Sequence, residues 1–314
     1  MAMSAQPHLI GVDVSKAELV ICHGPERPLE SLENEPKAIG RWLRTLPSGP
    51  VCVAVEATNT FHLELIEQAH RQGQTVYVID GYRLNRYRES VGGRAKTDAT
   101  DARLLWRYLQ REREDLRAWA PPAKGYRTVQ QLLRRRAVLV HSKTALQQSL
   151  GGLPELKRLT KTLMRQLEKI DTAIQRRLQE VARENGWAAE IQRCQGIEGI
   201  GPLTSTALTM AFHRGRFRTS DAFIAFLGLD VRVRDSGKMT GRRKLTKQGD
   251  PELRRLLHLA AMQASRHATW AAFYRRYQAR GLTRIQALVI LARKLARVAF
   301  ALLKNQSEYQ PKPA

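Results

Sequence analysis

The stretch HLIGVDV, residues 8–14, sets the reading of the whole chain. It is short and apolar, the pattern of a strand, and an acid, Asp13, stands one residue before its end. A carboxylate in that position is hidden from water only where something pairs with it. After a break at Ser15-Lys16, Ala17–His23 reads as the returning arm of a hairpin, and an acidic third strand follows near Pro28–Asn34. Working outward, a helix is expected over Pro36–Leu46 with proline in its first turn. Val51–Ala57 reads as a buried strand carrying a second acid, Glu56, near its end. Phe61–Arg71 reads as a helix stopped at Gly73, and Thr75–Ile79 as another strand. Arg83–Ser90 and Asp98–Gln110 look helical on either side of Gly92-Gly93. The alternation describes an α/β domain with a mixed sheet over residues 1–110.

Charge divides the chain at the same place. The 314 residues hold 53 Lys+Arg against 29 Asp+Glu, a formal charge of +24 and a pI near 10.7. With 43% hydrophobic residues the chain can build real cores, which excludes a disordered polycation and points to a folded protein with an anionic partner. Positions 1–110 carry 13 basic and 13 acidic residues, leaving 40 and 16 for the remainder. A neutral first segment and a basic remainder imply separate roles.

Cys22, Cys52 and Cys194 are far apart and form no CxxC or zinc-type spacing, so neither a disulfide scaffold nor a zinc module is expected. The N-terminus lacks the basic-then-apolar pattern of a secretory signal, and a reducing, cytoplasmic setting is expected. Ile285–Leu303 is interrupted by Arg293, Lys294 and Arg297, which would be costly at a bilayer centre. It reads as an amphipathic helix of a protein with no membrane partner.

Residues 111–122 read as a charged linker closed by two prolines. Beyond them Leu132, Leu139, Leu146 and Leu153 repeat every seven residues. Leu163, Leu167, Ile170, Ile174, Leu178 and Val181 recur at steps of three and four. Linker and long helical arm together span 111–186, the arm being either a hairpin packed on itself or a coiled coil that dimerises. From 187 to 314 the pattern is helical except around 230–248, and the last ten residues look like a tail.

Two constellations carry chemistry. Asp13 and Glu56 at strand ends join Asp98 and Asp101, three apart at a helix start in KTDATDAR, as oxygen ligands on rigid elements. Such a set suits a hard divalent cation, and two metals bridged by a phosphodiester can activate a nucleophile and stabilise the leaving oxygen. Taken singly, Asp98 could be a helix N-cap, Asp101 a surface acid, and the other two ion-pair partners. The second constellation is basic. GIEGIG at 196–201 reads as a helix-hairpin-helix turn whose Gly196, Gly199 and Gly201 let backbone N–H groups approach a phosphate, or else as a plain tight turn. His213, Arg214, Arg216 and Arg218 follow as a phosphate-facing strip. Arg232, Arg234, Lys238, Arg242, Arg243, Lys244 and Lys247 then surround Ser236. Aromatic residues are only 6%, which argues against base stacking as the main recognition mode.

The succession GVDVSK, VEAT and KTDATDAR resembles the RuvC-like DEDD domain of a family of insertion-sequence transposases that also includes the Piv-type DNA invertases. GIEGIGPLTSTALTMAF, RFRTSDAFIAFLGLD and RDSGKMTGRRKLTKQGDPELRRLL resemble that family's second domain, so the likeness runs in family order along nearly the whole chain. It implies a RuvC/RNase H-like N-terminal domain, a coiled-coil arm, and a mainly α-helical C-terminal transposase domain over 187–314. It also implies an enzyme in which Asp13, Glu56, Asp98 and Asp101 bind Mg²⁺, or Mn²⁺, and Ser236 becomes linked to DNA. A hydroxyl is a poor nucleophile at neutral pH, so it needs a metal or base and nearby cations. The implied partners are donor and target DNA, a structured guide (bridge) RNA, and further copies of the chain as a dimer assembling to a tetramer. Acids would come from one protomer and serine from another, without ATP. Glycine is common in this family where Asn59 stands.

Three other readings compete. A structure-specific nuclease would use the same acids with water as nucleophile, and a nucleic-acid-binding protein would use none of them. An actin-like ATPase would need a second phosphate motif that the basic remainder lacks.

Overall fold

The computed structural model describes residues 6–92, 97–232, 235–236, 239–240 and 243–311, and the chain divides into two compact units, Met1–Pro121 and Pro122–Ala314. In the first unit β1 (His8–Val14) is the middle strand of five. β2 (Glu18–Cys22) and β3 (Glu30–Glu33) extend the sheet on one side by antiparallel pairing. β4 (Val51–Glu56) and β5 (Thr75–Ile79) extend it on the other in parallel, giving the order β3-β2-β1-β4-β5. The expected mixed α/β sheet is therefore present.

Alternation along the strands splits the core into two layers. Ile10, Val12, Val14, Val53 and Val55 pack with α1 (Pro36–Thr45) and α2 (Leu63–Arg71) on one face. Cys52, Ala54, Tyr77 and Ile79 pack with α3 (Gly81–Ser90) and α4 (Asp98–Glu112) on the other. Helix α4 lies directly on β1 because residue 11 is glycine: a Cβ there would stand 2.3 Å from both the Ala102 carbonyl oxygen and the Trp106 nitrogen. The segment read as a linker belongs to this unit as far as Pro121. Its Trp119 N–H donates to the Val76 carbonyl at 2.6 Å, and the indole meets the His70 ring edge-on at 5.4 Å. At Asn59 the backbone is left-handed, φ 46°, a conformation that asparagine tolerates better than most residues and glycine best.

The second unit opens with two long helices, α5 (Tyr126–Leu150) and α6 (Lys157–Glu184), paired antiparallel through Arg136–Asp171 at 2.7 Å and Lys143–Glu168 at 2.8 Å. Only the root of this hairpin is buried. Tyr126, Val129, Leu133, Leu178, Val181 and Ala182 belong to the same core as Trp187, Ile197 and Leu291. The hairpin and the C-terminal helices are one compact unit for that reason. Helix α7 (Ala188–Gln195) leads through residues 196–201 to α8 (Pro202–His213), whose residues Thr204–Ala211 are all buried, the mark of a central helix. Helix α9 (Ser220–Phe226) precedes two small hairpins, β6 (Val231–Arg232) with β9 (Lys244–Leu245) and β7 (Asp235–Ser236) with β8 (Met239–Thr240). Then α10 (Pro251–Ala264), α11 (Ala268–Ala279) and α12 (Arg284–Asn305) close the unit. No helix among the described residues is long and apolar enough to cross a membrane.

Candidate active site

Parallel pairing of β1 with β4 sets Val12 opposite Val55, so the next residues, Asp13 and Glu56, come side by side where the strands end. Gly11 admits the first turns of α4 against β1 and brings in Asp101. Carboxylate oxygens of Asp13, Glu56 and Asp101 lie within 4.8 Å of one another, one from each of three rigid elements. Asp98, the fourth predicted acid, is exposed on the first residue of α4 and stands outside this group of three. It is not the helix cap. That role falls to Thr97, whose hydroxyl accepts from the Thr100 N–H at 3.2 Å while the Thr100 hydroxyl accepts from the Thr97 N–H at 2.9 Å. Nor is Asp101 a surface acid: it is 4% exposed.

The electrostatics are those of acids crowded together. Burial, then the charges of Asp101, Asp98 and Glu56, push the Asp13 carboxyl up to about 6, against the Val14 N–H that favours the anion. Asp101 is paired with Arg88 of α3, whose guanidinium donates to Asp101 Oδ1 at 2.7 Å and to Asn85 Oδ1 at 3.1 Å. Both partners of this pair are buried, so Arg88 fixes how Asp101 presents its carboxylate. Gly81, which opens α3, makes room for Glu56: a Cβ there would lie 2.5 Å from Glu56 Oε1. Neither residue is visible as a site residue in the sequence, because each acts through the packing of α3 against its neighbours. An all-oxygen donor set on rigid elements, with one carboxyl destabilised as an anion, fits a hard divalent cation.

The other predicted residues belong to the second unit. Asp235–Ser236 forms a strand paired with Met239–Thr240, which places Ser236 opposite Met239 on a two-stranded hairpin. Arg234, Lys238 and Arg242 lie outside the described residues. Arg232, Arg243, Lys244 and Lys247 are exposed on or beside the β6–β9 pair that forms the root of this segment. That root is closed by the Thr246 hydroxyl donating to Asp230 and by Arg254, which donates to the Gly249 carbonyl at 2.7 Å.

The turn at 196–201 does join two helices. Gly196 caps α7, and Gly201 opens α8 in extended conformation with free space at its Cβ position. Gly199 has φ 90°, and a Cβ on it would stand 2.6 Å from the Ala260 carbonyl oxygen, so its glycine serves close packing on α10. Of the basic strip, Arg216 and Arg218 are exposed, while Arg214 is half-buried over the Tyr126 ring at 5.8 Å. His213 is held by Glu190 at 2.6 Å and stacked on Trp187 at 5.1 Å, which makes it part of the packing around α7 rather than a phosphate contact.

Comparison with known proteins covers both units. A DEDD-type IS110 domain model, described as transposase, matches residues 10–153, and a model of the transposase IS116/IS110/IS902 family matches residues 191–278. A probable family 20 transposase of Pseudomonas aeruginosa is 26% identical over 96% of this chain and 98% of its own length. A pilin gene-inverting protein of Moraxella bovis is 26% identical over 81% of this chain and 80% of its own. A transposase for the insertion sequence element IS1111A, of Coxiella burnetii, is 31% identical over 52% of this chain and 46% of its own length.

Proposed function

Since the chain belongs to the IS110 family of DEDD transposases, enzymes that cut and rejoin DNA, we propose that it recombines an insertion element with its target through a covalent phosphoserine link. The observation that carries this reading is the meeting of Asp13, Glu56 and Asp101 within 4.8 Å at the ends of two parallel strands and the start of a helix. Residues 1–110 act as the RuvC-like metal-binding part. The helices Tyr126–Leu150 and Lys157–Glu184 bring copies of the chain together, and residues 187–314 hold nucleic acid and present Ser236.

Asp13, Glu56 and Asp101 would hold Mg²⁺, with Asp98 beside them. The bound cation would polarise the phosphodiester and lower the proton affinity of the attacking oxygen. The Ser236 hydroxyl loses its proton and attacks phosphorus. A phosphoserine ester forms as the bond from phosphorus to a deoxyribose oxygen breaks, and that oxygen leaves as a free hydroxyl. A hydroxyl of the partner strand then attacks the phosphoserine and releases serine. One ester replaces another at each step, so no external high-energy compound is consumed. Basic residues around Ser236 stabilise charge at phosphorus.

Recognition is assigned to a structured guide RNA, in keeping with a surface that offers charge in preference to base-edge readers. The exposed apolar residues of the arm support assembly into dimers and tetramers, with the acids of one protomer serving the serine of another. The test incubates the full chain with RNA from the DNA flanking its gene, target DNA and Mg²⁺. A protein–DNA adduct is expected that disappears in Ser236→Ala. Cleavage without an adduct in the unaltered chain would instead favour water as the nucleophile, and an adduct persisting in Ser236→Ala would refute the assignment.

A further inference from the structure

Aromatic residues are sparse in the chain as a whole, yet the fold gathers several on one helix. Along α11, Trp270, Phe273 and Tyr277 follow one another edge to face, with centroids 6.4 and 5.1 Å apart. Two arginines are interleaved with them. The Arg276 guanidinium lies 5.3 Å from the Phe273 ring and 5.3 Å from the Tyr277 ring, and Arg280 lies 5.6 Å from Tyr277. Trp270 belongs to the core and anchors the series, whereas Phe273 and Tyr277 are half-exposed and both arginines exposed, so the rings and guanidinium planes beyond Trp270 reach the surface. Residues 253–307 contain eleven Lys/Arg and no Asp or Glu, a charge pattern complementary to a polyanion.

The position of this ladder ties it to the rest of the unit. At its N-terminal end Thr269 donates to Glu198 Oε1 at 2.9 Å and the Trp270 indole N–H donates to Glu198 Oε2 at 3.1 Å. Glu198 lies in the 196–201 turn, so these bonds tie the turn to the N-terminal end of α11. At its other end Tyr277 lies within electrostatic reach of Arg293 on α12, which is also within reach of Asp230. Asp230 is the residue bonded to Thr246 across the root of the segment that carries Ser236. Bases in a duplex already cover one another's faces. Only an unpaired base can lay its face on such a ladder, and aromatic and guanidinium planes are the groups that accept it.

We propose that Phe273, Arg276, Tyr277 and Arg280 form a stacking platform for unpaired bases of the DNA strand beside the phosphodiester that Ser236 attacks. The identity of the strand rests on the reading of Ser236 as nucleophile, whereas the stacking does not.

The test uses the full chain in chelator with a single-stranded DNA oligomer containing 2-aminopurine, whose fluorescence is quenched when the base stacks. Quenching is expected on binding. Tyr277→Leu, and separately Arg276→Gln with Arg280→Gln, should remove it and weaken single-strand binding roughly fivefold or more. Binding of the same sequence as a duplex should change less than about twofold, by the same stacking argument. Tyr277 is only partly buried, so unchanged thermal unfolding is the control for folding. Arg276→Lys with Arg280→Lys keeps the charge and removes the planes. If that variant quenches and binds as the unaltered chain does, charge alone explains the surface and the platform is overturned. An RNA oligomer of equal sequence that binds more tightly through Tyr277 would likewise overturn the assignment to DNA. Ser236→Ala should quench normally; an adduct persisting in that variant would remove the nucleophile while leaving the platform standing.

Discussion

Asp13 sits where three other acids act on it, and that crowding has a measurable consequence in the metal-free protein. Its carboxyl titrates near 6 in the fold, above its ordinary value, so the folded state holds a proton that the unfolded chain releases at lower pH. The stabilising contribution of this group is thus complete below its unfolded pKa and is lost as pH rises through about 6. In chelator, thermal unfolding should move to lower temperature as pH rises from about 4 to about 6, and Asp13→Asn should flatten that slope. Mg²⁺ should raise the unfolding temperature of the unaltered chain above pH 6, and the gain should be largely absent in Asp13→Asn. An unaltered slope in Asp13→Asn would assign the pH dependence to another group. Asp13 and Glu56 are legible in the sequence because each stands at or one residue before the end of an apolar run, and a strand end is a local pattern. Arg88 is not, since nothing in its neighbourhood distinguishes it from Arg83 or Arg86. Its partner Asp101 is thirteen residues away and is reached only when α3 packs on α4.

Elements meet through glycines in two different ways in the first unit. At Gly11 the obstacle to a larger residue is the backbone of α4, which cannot swing aside. Gly11→Ala should therefore destabilise the fold by about 1–3 kcal/mol or more, read as a lower unfolding midpoint in denaturant, and should cost metal binding as well. At Gly81 the obstacle is the end of the Glu56 side chain, which can rotate away. Gly81→Ala should leave the unfolding midpoint nearly unchanged while weakening Mg²⁺ binding measured by calorimetry. A large stability loss in Gly81→Ala with metal affinity intact would contradict this view of the site. Periodicity delimits these helices well, because α1, α2 and α4 each bury one stripe. It does less well for α5, where the seven-residue leucine series passes alongside the residues that are actually buried at the root, Tyr126, Val129 and Leu133. Of that series Leu146 and Leu153 are exposed, while the root is set by the core of the C-terminal helices, which lie far along the chain.

For the whole molecule, the hairpin is the element least satisfied within one chain. Val138 is 63% exposed, Leu159 69% and Ile170 49%, all away from the root. Scattered single apolar residues need no explanation, but three such residues on one slender arm favour a partner surface. Under the proposed self-association, Leu159→Glu with Ile170→Glu should shift the protein from dimer to monomer in analytical ultracentrifugation without lowering its unfolding temperature. A dimer that survives both changes would place the contact elsewhere.

The last described residues add a constraint of order in time. Arg193 on α7 pairs with Glu308 at 3.1 Å, and Glu198 is bonded by Tyr309 as well as by Thr269 and Trp270. Burial works against the Glu198 anion, yet these donors and its own backbone N–H hold its carboxyl below the ordinary range. Every side chain that secures the 196–201 turn through Glu198 is thus made after the turn itself, the last of them more than a hundred residues later. During synthesis the turn stays incomplete until Tyr309 has been made, so a nascent or truncated product that stops short of it carries the acids of the first unit without all the contacts that hold this turn.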